Sequence, residues 1–210
     1  MNKESDFETY LSISDSGFEI YLFDKKNLIN LYEQKLKTIN SLDLIDFNLL
    51  NVFLDKNIFK IEKLTGKFIK NIIIIIDNKK IFNLNFCLKK KNYQETLNKK
   101  FIENILTDAN DLFRENYQNQ KIMHLLIRKY IIDGNQYSSF RDNFNGENFS
   151  VEVQFISIPN NFLYEIDKVL KKYQIKIIEC FDGNYINNLL EHDNLNISEV
   201  AFKVQNGLIE

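Results

Sequence analysis

Tryptophan is absent from this 210-residue chain, and there are only one proline, six glycines and two cysteines. Few Pro and Gly exclude a collagen-like repeat and a Pro- or Gly-rich linker, so no composition break separates domains. Two cysteines exclude a disulfide scaffold and a multi-cysteine metal site. Cys87 and Cys180 lie in apolar, strand-like runs and read as buried thiols of a reducing compartment, with a disulfide between them left open. The longest apolar run, Ile72 to Ile76, is far too short to span a bilayer. "MNKESDFETY" lacks the apolar core of a signal peptide, which implies a cytoplasmic location. The formal charge is −2 with both signs mixed along the chain, unlike the basic stripe of a nucleic-acid binder. Lys89, Lys90 and Lys91 form the densest basic run and read as a solvated turn after a strand.

Chemical motifs are equally scarce. No P-loop, G-x-G-x-x-G, H-E-x-x-H or C-x-x-C occurs. His124 sits in the strand-like "KIMHLLI" and His192 in a polar segment, and neither has a ligand partner at metal-site spacing. The carboxylate pairs Asp108/Asp111 and Glu191/Asp193 are ordinary products of helix surfaces. No constellation combines nucleophile, base and stabiliser. The expectation is a non-enzyme with no catalytic residue, no metal and no cofactor.

What is present is core material: 44% hydrophobic residues, with 18 Phe and 10 Tyr. Residues 8–24, "YLSISDSGFEIYLFD" at their centre, alternate apolar positions around a polar turn and predict a hairpin. Residues 25–45 are polar and ambiguous. Leu49, Leu50, Phe53, Leu54, Ile58, Ile61 and Leu64 recur at helical spacing, with Asn48 as a candidate cap and Gly66 as the stop. "FIKNIIIIID" reads as a strand buried on both faces, and "KIFNLNFCLKK" as its return through Asp77-Asn78. Thr96 or Asn98 can cap a helix carrying Phe101, Ile105, Ala109 and Leu112. Pro159 opens another, with Phe162, Ile166, Val169 and Leu170 inward.

The expected strands 81–88, 121–132, 149–158 and 175–180, with helices near 98–115 and 160–172, run in the order βαββαβ. That order predicts an α+β fold: a small two-layer subdomain with both helices on one sheet face. The division is 1–80, 81–192 and a tail 193–210 with weak signals.

The stretch from Leu106 to Ile158 resembles the inserted subdomain of the FtsA family, actin-like proteins of bacterial cell division. Ile122-Met123-His124-Leu125-Leu126 is similar to the family's strand entry. Tyr130-Ile131-Ile132-Asp133-Gly134 resembles its Y-x-v-D-G, and Gly146 with Phe149 to Ile156 its next glycine and strand. The likeness runs in order over roughly residues 50–190. It implies that 1–80 is a partial actin-like subdomain and 81–192 the inserted interaction subdomain. The related pilus-assembly protein PilM shares this architecture.

In that family the first phosphate hairpin reads D-x-G-T-S. Here Ser12 stands for the Asp, Ser14 for the Gly and Asp15 for the Thr, and Ser16 alone matches. A serine does not replace a carboxylate beside Mg²⁺, and Asp15 repels a polyphosphate. The family's second phosphate hairpin and adenosine site would follow residue 190, where "EHDNLNISEVAFKVQNGLIE" has neither. The resemblance therefore implies a reduced, non-catalytic division component acting through protein contacts. Division proteins, an FtsA-like partner or a second copy are the expected partners. Membrane association is expected only indirectly, or through a C-terminal tail beyond Glu210. The alternative is a nucleotide-responsive actin-like or PilM-like assembly protein completed by a partner's second half. In the polar loop 135–148, Tyr137, Phe140 and Phe144 are the candidate anchors for partners, because aromatics are enriched at binding hot spots.

Overall fold

A computed structural model describes residues 6–38, 45–92, 97–140, 145–190 and 195–208. Two compact units emerge: residues 1–80 with 161–210, and residues 81–160.

The first unit is built on a five-stranded sheet. Strands β1 (Phe7–Ser14), β2 (Gly17–Asp24) and β3 (Ile29–Lys37) form an antiparallel meander. Strands β4 (Asn71–Asp77) and β9 (Lys176–Asp182) add in parallel, giving the order β3-β2-β1-β4-β9. Helix α1 (Phe47–Thr65) lies on the face of Phe18, Ile20 and Leu22, where the Phe18 and Phe53 rings are 6.1 Å apart. Tyr32 donates a 2.6 Å hydrogen bond to the buried Asn57 of α1 on the same side. Helix α3 (Asn160–Lys171) joins α1 through the Phe47–Phe162 ring pair and the bond from the Tyr173 hydroxyl to Asp55. Helices α4 (Gly183–Leu190) and α5 (Ile197–Gln205) cover the opposite face, where Ile186, Val200 and Ala201 meet Tyr10, Tyr21, Ile73, Ile75 and Phe181. Each fully buried Ile or Phe here contributes about 1.5–3 kcal/mol. With helices on both faces, β4 can be the unbroken run Ile72 to Ile76, all buried.

The second unit is an antiparallel sheet of order β5-β8-β6-β7, formed by β5 (Phe82–Lys91), β6 (Gln120–Ile132), β7 (Asn135–Tyr137) and β8 (Asn148–Pro159). Helix α2 (Lys99–Asn116) buries Ile102, Ile105, Ala109 and Phe113 against Tyr130, Val151, Val153 and Phe155. The opposite face is polar: Lys129 pairs with Glu152 at 3.0 Å, and Gln154 receives Arg128 and donates to Asn83.

The mixed α and β fold in two sheets matches the expectation, but the partition differs. The compact second unit ends at 160 rather than 192, and its order is βαβββ. The strand expected at 175–180 pairs in parallel with β4, and the helix near 160–172 goes with it. The physical reason is strand pairing. In the second sheet both edges of β8 are taken by β5 and β6 and the short β7 lies on the other edge of β6, which leaves the outer edge of β5 open. β4 still needs a partner for its second row of buried backbone groups, and β9 supplies one. Parallel neighbours require a crossover, and here residues 78–175 make it, with the whole second unit within that stretch of sequence. For the same reason β4 and β5 do not form the expected hairpin.

The caps and cysteines bear out some expectations and correct others. Asp46 caps α1 instead of Asn48, accepting from the Asn48 and Leu49 amides, and Gly66 ends it at φ 66° as expected. Asn98 caps α2, while Thr96 lies outside the described residues. Cys180 is buried but Cys87 is exposed on the polar face of the second sheet, and no disulfide joins them.

Candidate functional site

The opening hairpin lies at the rim of a cleft of about 410 Å³. The sheet register explains which side chains share it. Ser12 pairs across to Glu19 and Glu19 to Lys35, while on the other side Ser12 faces Ile75. One row nearer the turn, Ser14 lies between Gly17 and Asp77. One row farther from the turn than Ser12, Tyr21 pairs with Glu33. The far wall comes from α4 and the start of α5, with Gly183, Asn187 and Ile197.

Ser12, Ser14 and Ser16 therefore line one cleft, whereas Asp15, the fourth residue of the expected hairpin, does not. Two of these three hydroxyls, those of Ser14 and Ser16, are already engaged. The Ser14 and Ser16 hydroxyls bond each other at 2.8 Å, and Ser14 also donates to the Gly17 carbonyl at 3.2 Å. The turn is clamped by Thr38, whose amide donates to the Ser16 carbonyl at 2.8 Å and whose hydroxyl reaches the Asp15 carbonyl at 3.3 Å. The Asp15 carboxylate accepts from the buried Asn78 side-chain amide at 2.5 Å. Gly17, at φ 146°, passes so close to β3 that a Cβ would lie 2.0 Å from the Leu36 carbonyl oxygen.

The electrostatics run against an anion. Lys35 is the one cation lining the cleft among the described residues, and it bridges Glu19 and Glu33, both at 3.3 Å. Burial works against its charge, yet the two carboxylates hold its pKa above the ordinary lysine value. Tyr21 donates to Glu19, and burial together with that carboxylate pushes the phenol pKa far up, so it stays protonated. The α4 N-terminus, where a helix dipole attracts an anion, is occupied by carboxylates of the chain itself. Asp182 accepts from the Tyr185 amide at 3.1 Å, and Asp77 from the Asn184 side chain at 3.1 Å. Gly183 permits this closeness, since a Cβ there would lie 2.8 Å from Asp77 Cβ. Glu19, Glu33 and Asp77 thus outnumber Lys35. The cleft offers carboxylates, serine hydroxyls and an amide, a surface for neutral or cationic hydrogen-bond donors.

The expected aromatic anchors lie in the second unit. Tyr137 sits in β7 and Phe140 follows it, both half-buried against the core, with the Phe140 ring 5.5 Å from that of Tyr130. Phe144 lies outside the described residues. Asp133 of the Y-x-v-D-G motif, at φ 46°, accepts from the amides of Asn148 at 2.8 Å and Glu147 at 3.2 Å. Those bonds, the one to Asn148 foremost, hold its carboxyl below the usual range. The motif therefore ties the two ends of the loop together. His124 is buried, and burial lowers its pKa to about 4. Missed from the sequence were Glu33 and Lys35 on β3, in the ambiguous polar segment, and the α5 wall. Only Tyr32 and Leu36, four residues apart and both half-buried, hinted at β3.

No protein-family model matches the sequence, and no curated protein matches it. Among solved structures, a chain of the PilM-PilN type IV pilus biogenesis complex is similar at TM-score 0.52 and 10% identity, over 88% of this chain and 49% of that one. The cytoplasmic domain of EpsL, an inner membrane component of the type II secretion system of Vibrio cholerae, reaches TM-score 0.41 at 6% identity over 84% and 57%. A Bacteroides thetaiotaomicron protein described as having an actin-like ATPase fold and unknown function reaches 0.37 at 17% identity over 88% and 55%. The first likeness is one of fold. The chain spans about half the length of the PilM-PilN chain it matches.

Proposed function

We propose that this chain is an actin-like, PilM-like assembly module that neither binds nor hydrolyses a nucleotide and works through protein contacts. The observation that carries this reading is the internally paired, acid-rich cleft. Where an actin-like ATPase would hold phosphates, the Ser14 and Ser16 hydroxyls bond each other, and Lys35 is bridged by Glu19 and Glu33. An incoming triphosphate would have to displace those pairs and face the remaining carboxylates. The PilM-PilN likeness supports a protein partner, because that structure is a complex of two assembly proteins. A division role of the FtsA type rests on the motif from Tyr130 to Gly134, and we keep it as the second reading.

The test is a titration of the chain against purified assembly proteins, one pilus-type and one division-type, each with and without Mg-ATP. Saturable binding of the pilus-type partner, indifferent to ATP, is expected. Binding only to the division-type protein would favour the second reading. Binding that requires ATP would replace both with a nucleotide-responsive module.

A further inference from the structure

The outer face of α1 and the turn after it carry an unusual combination. Phe59 and Phe68 are 71% and 82% exposed, and Leu64 is 60% exposed. Lys56, Lys60, Lys63, Lys67 and Lys70 surround them, all exposed. Along the helix, Val52, Lys56, Phe59 and Lys63 follow at i, i+4, i+7 and i+11, and Lys60 and Leu64 form the adjacent stripe, with Lys67 in the turn beyond. Among the described residues none of these lysines has an ion-pair partner. The only acid in the span 56–70, Glu62, is turned back to accept from the Ile69 amide at 3.1 Å. That bond, the Thr65 hydroxyl on the Lys67 carbonyl at 3.1 Å and the buried Ile69 hold the turn so that Phe68 points outward. A local excess of positive charge thus stands on a chain of formal charge −2.

We infer that this face docks on a bilayer surface containing anionic phospholipid. Exposed aromatics on a convex stripe can enter the headgroup layer, while lysines lay their stems along it and keep their ammonium groups at the phosphates. Anionic lipid supplies the complementary charge. A protein interface fits less well, because the cores of such interfaces are depleted in lysine, whereas here lysines stand among the apolar groups. The inference is independent of the cleft.

The experiment is co-sedimentation of the full chain with vesicles of phosphatidylcholine alone, or with about one-third phosphatidylglycerol. Binding is expected only to the anionic vesicles, and it falls steeply with salt. Lys60→Ala, Lys63→Ala and Lys67→Ala should each weaken it roughly fivefold, and Phe68→Ser roughly tenfold or more. Lys89→Ala, in the second unit, should leave it unchanged. These side chains are exposed, so circular dichroism should show the variants folded. Equal binding to both vesicle types, no binding, or binding indifferent to these substitutions overturns the inference. So does a dimer abolished by Phe59→Ser without vesicle binding, which would give the face to a second copy. Capture on poly-glutamate but not on vesicles would give it to an acidic protein and would overturn the inference equally.

Discussion

Asn78, just beyond the end of β4, donates its side-chain amide to the Asp15 carboxylate in the hairpin turn at 2.5 Å, linking segments 63 residues apart. Its own side-chain oxygen accepts from the Lys80 amide at 3.0 Å. Asn78→Ala should therefore cost about 1–3 kcal/mol of unfolding free energy, read from the urea midpoint. Asn78→Asp should cost more at pH 7 than at pH 4, because two carboxylates then face each other. An unchanged midpoint in both variants would show that the turn does not depend on this bond.

Gly17 gives a second test of the same turn. Its φ of 146° and the 2.0 Å that would separate an added Cβ from the Leu36 oxygen leave no room for a side chain. Gly17→Ala should destabilise the first unit by at least about 2 kcal/mol. Gly66→Ala, where nothing lies within 4 Å of an added Cβ, should cost less than Gly17→Ala because only the φ of 66° opposes it. Thermal unfolding of the two variants side by side would expose an error if their order were reversed.

His124 makes stability depend on pH. Burial lowers its folded pKa to about 4, below the unfolded value near 6.5. Between those values the unfolded chain binds the extra proton, so stability is complete above about pH 6.5 and falls as pH drops toward 4. The slope approaches about 1.4 kcal/mol per pH unit within that window. His124→Gln should flatten the urea midpoint between pH 7 and pH 5. A variant with the parent's full slope would remove His124 as the source.

The elements most legible in the sequence are those whose periodicity is strong and whose ends carry a cap. Helix α1 is readable from Leu50, Phe53, Leu54, Ile58 and Ile61 and from the left-handed Gly66, all local signals. The alternation of Val151, Val153 and Phe155 likewise announces β8. Strand β3 is hidden because it is an edge strand: Glu33, Gln34 and Lys35 are exposed, and a bulge opposite Leu22/Phe23 breaks its alternation. Helix α5 is short, and its buried residues include Ser198, which no hydrophobic pattern would select. Strand partnership was the largest loss. "IKIIEC" looks equally suited to either sheet, and only the unpaired side of β4 decides between them. Within the site, the serine-rich hairpin was visible, but the Glu19–Lys35–Glu33 bridge depends on the cross-strand register of β2 with β3.

The loop aromatics separate packing from recognition. Phe140 packs on Tyr130, and Tyr137 is half-buried on the same core. Phe140→Ser should cost about 1–3 kcal/mol in stability, with Tyr137→Ala similar or smaller. If the loop is also the partner surface, both variants should lose partner binding while still folded at low temperature. Retained affinity in folded variants assigns the two rings to packing alone.

The most direct test of the central claim is calorimetry of the chain with Mg-ATP at millimolar concentration. The engaged Ser14 and Ser16, the excess of carboxylates and the Glu19–Lys35–Glu33 bridge predict no saturable heat and no phosphate release. Lys35 should be no more protected by ATP from amine-modifying reagents than Lys89. Saturable ATP binding that disappears in Ser16→Ala would contradict the account and restore the hairpin as a working phosphate grip.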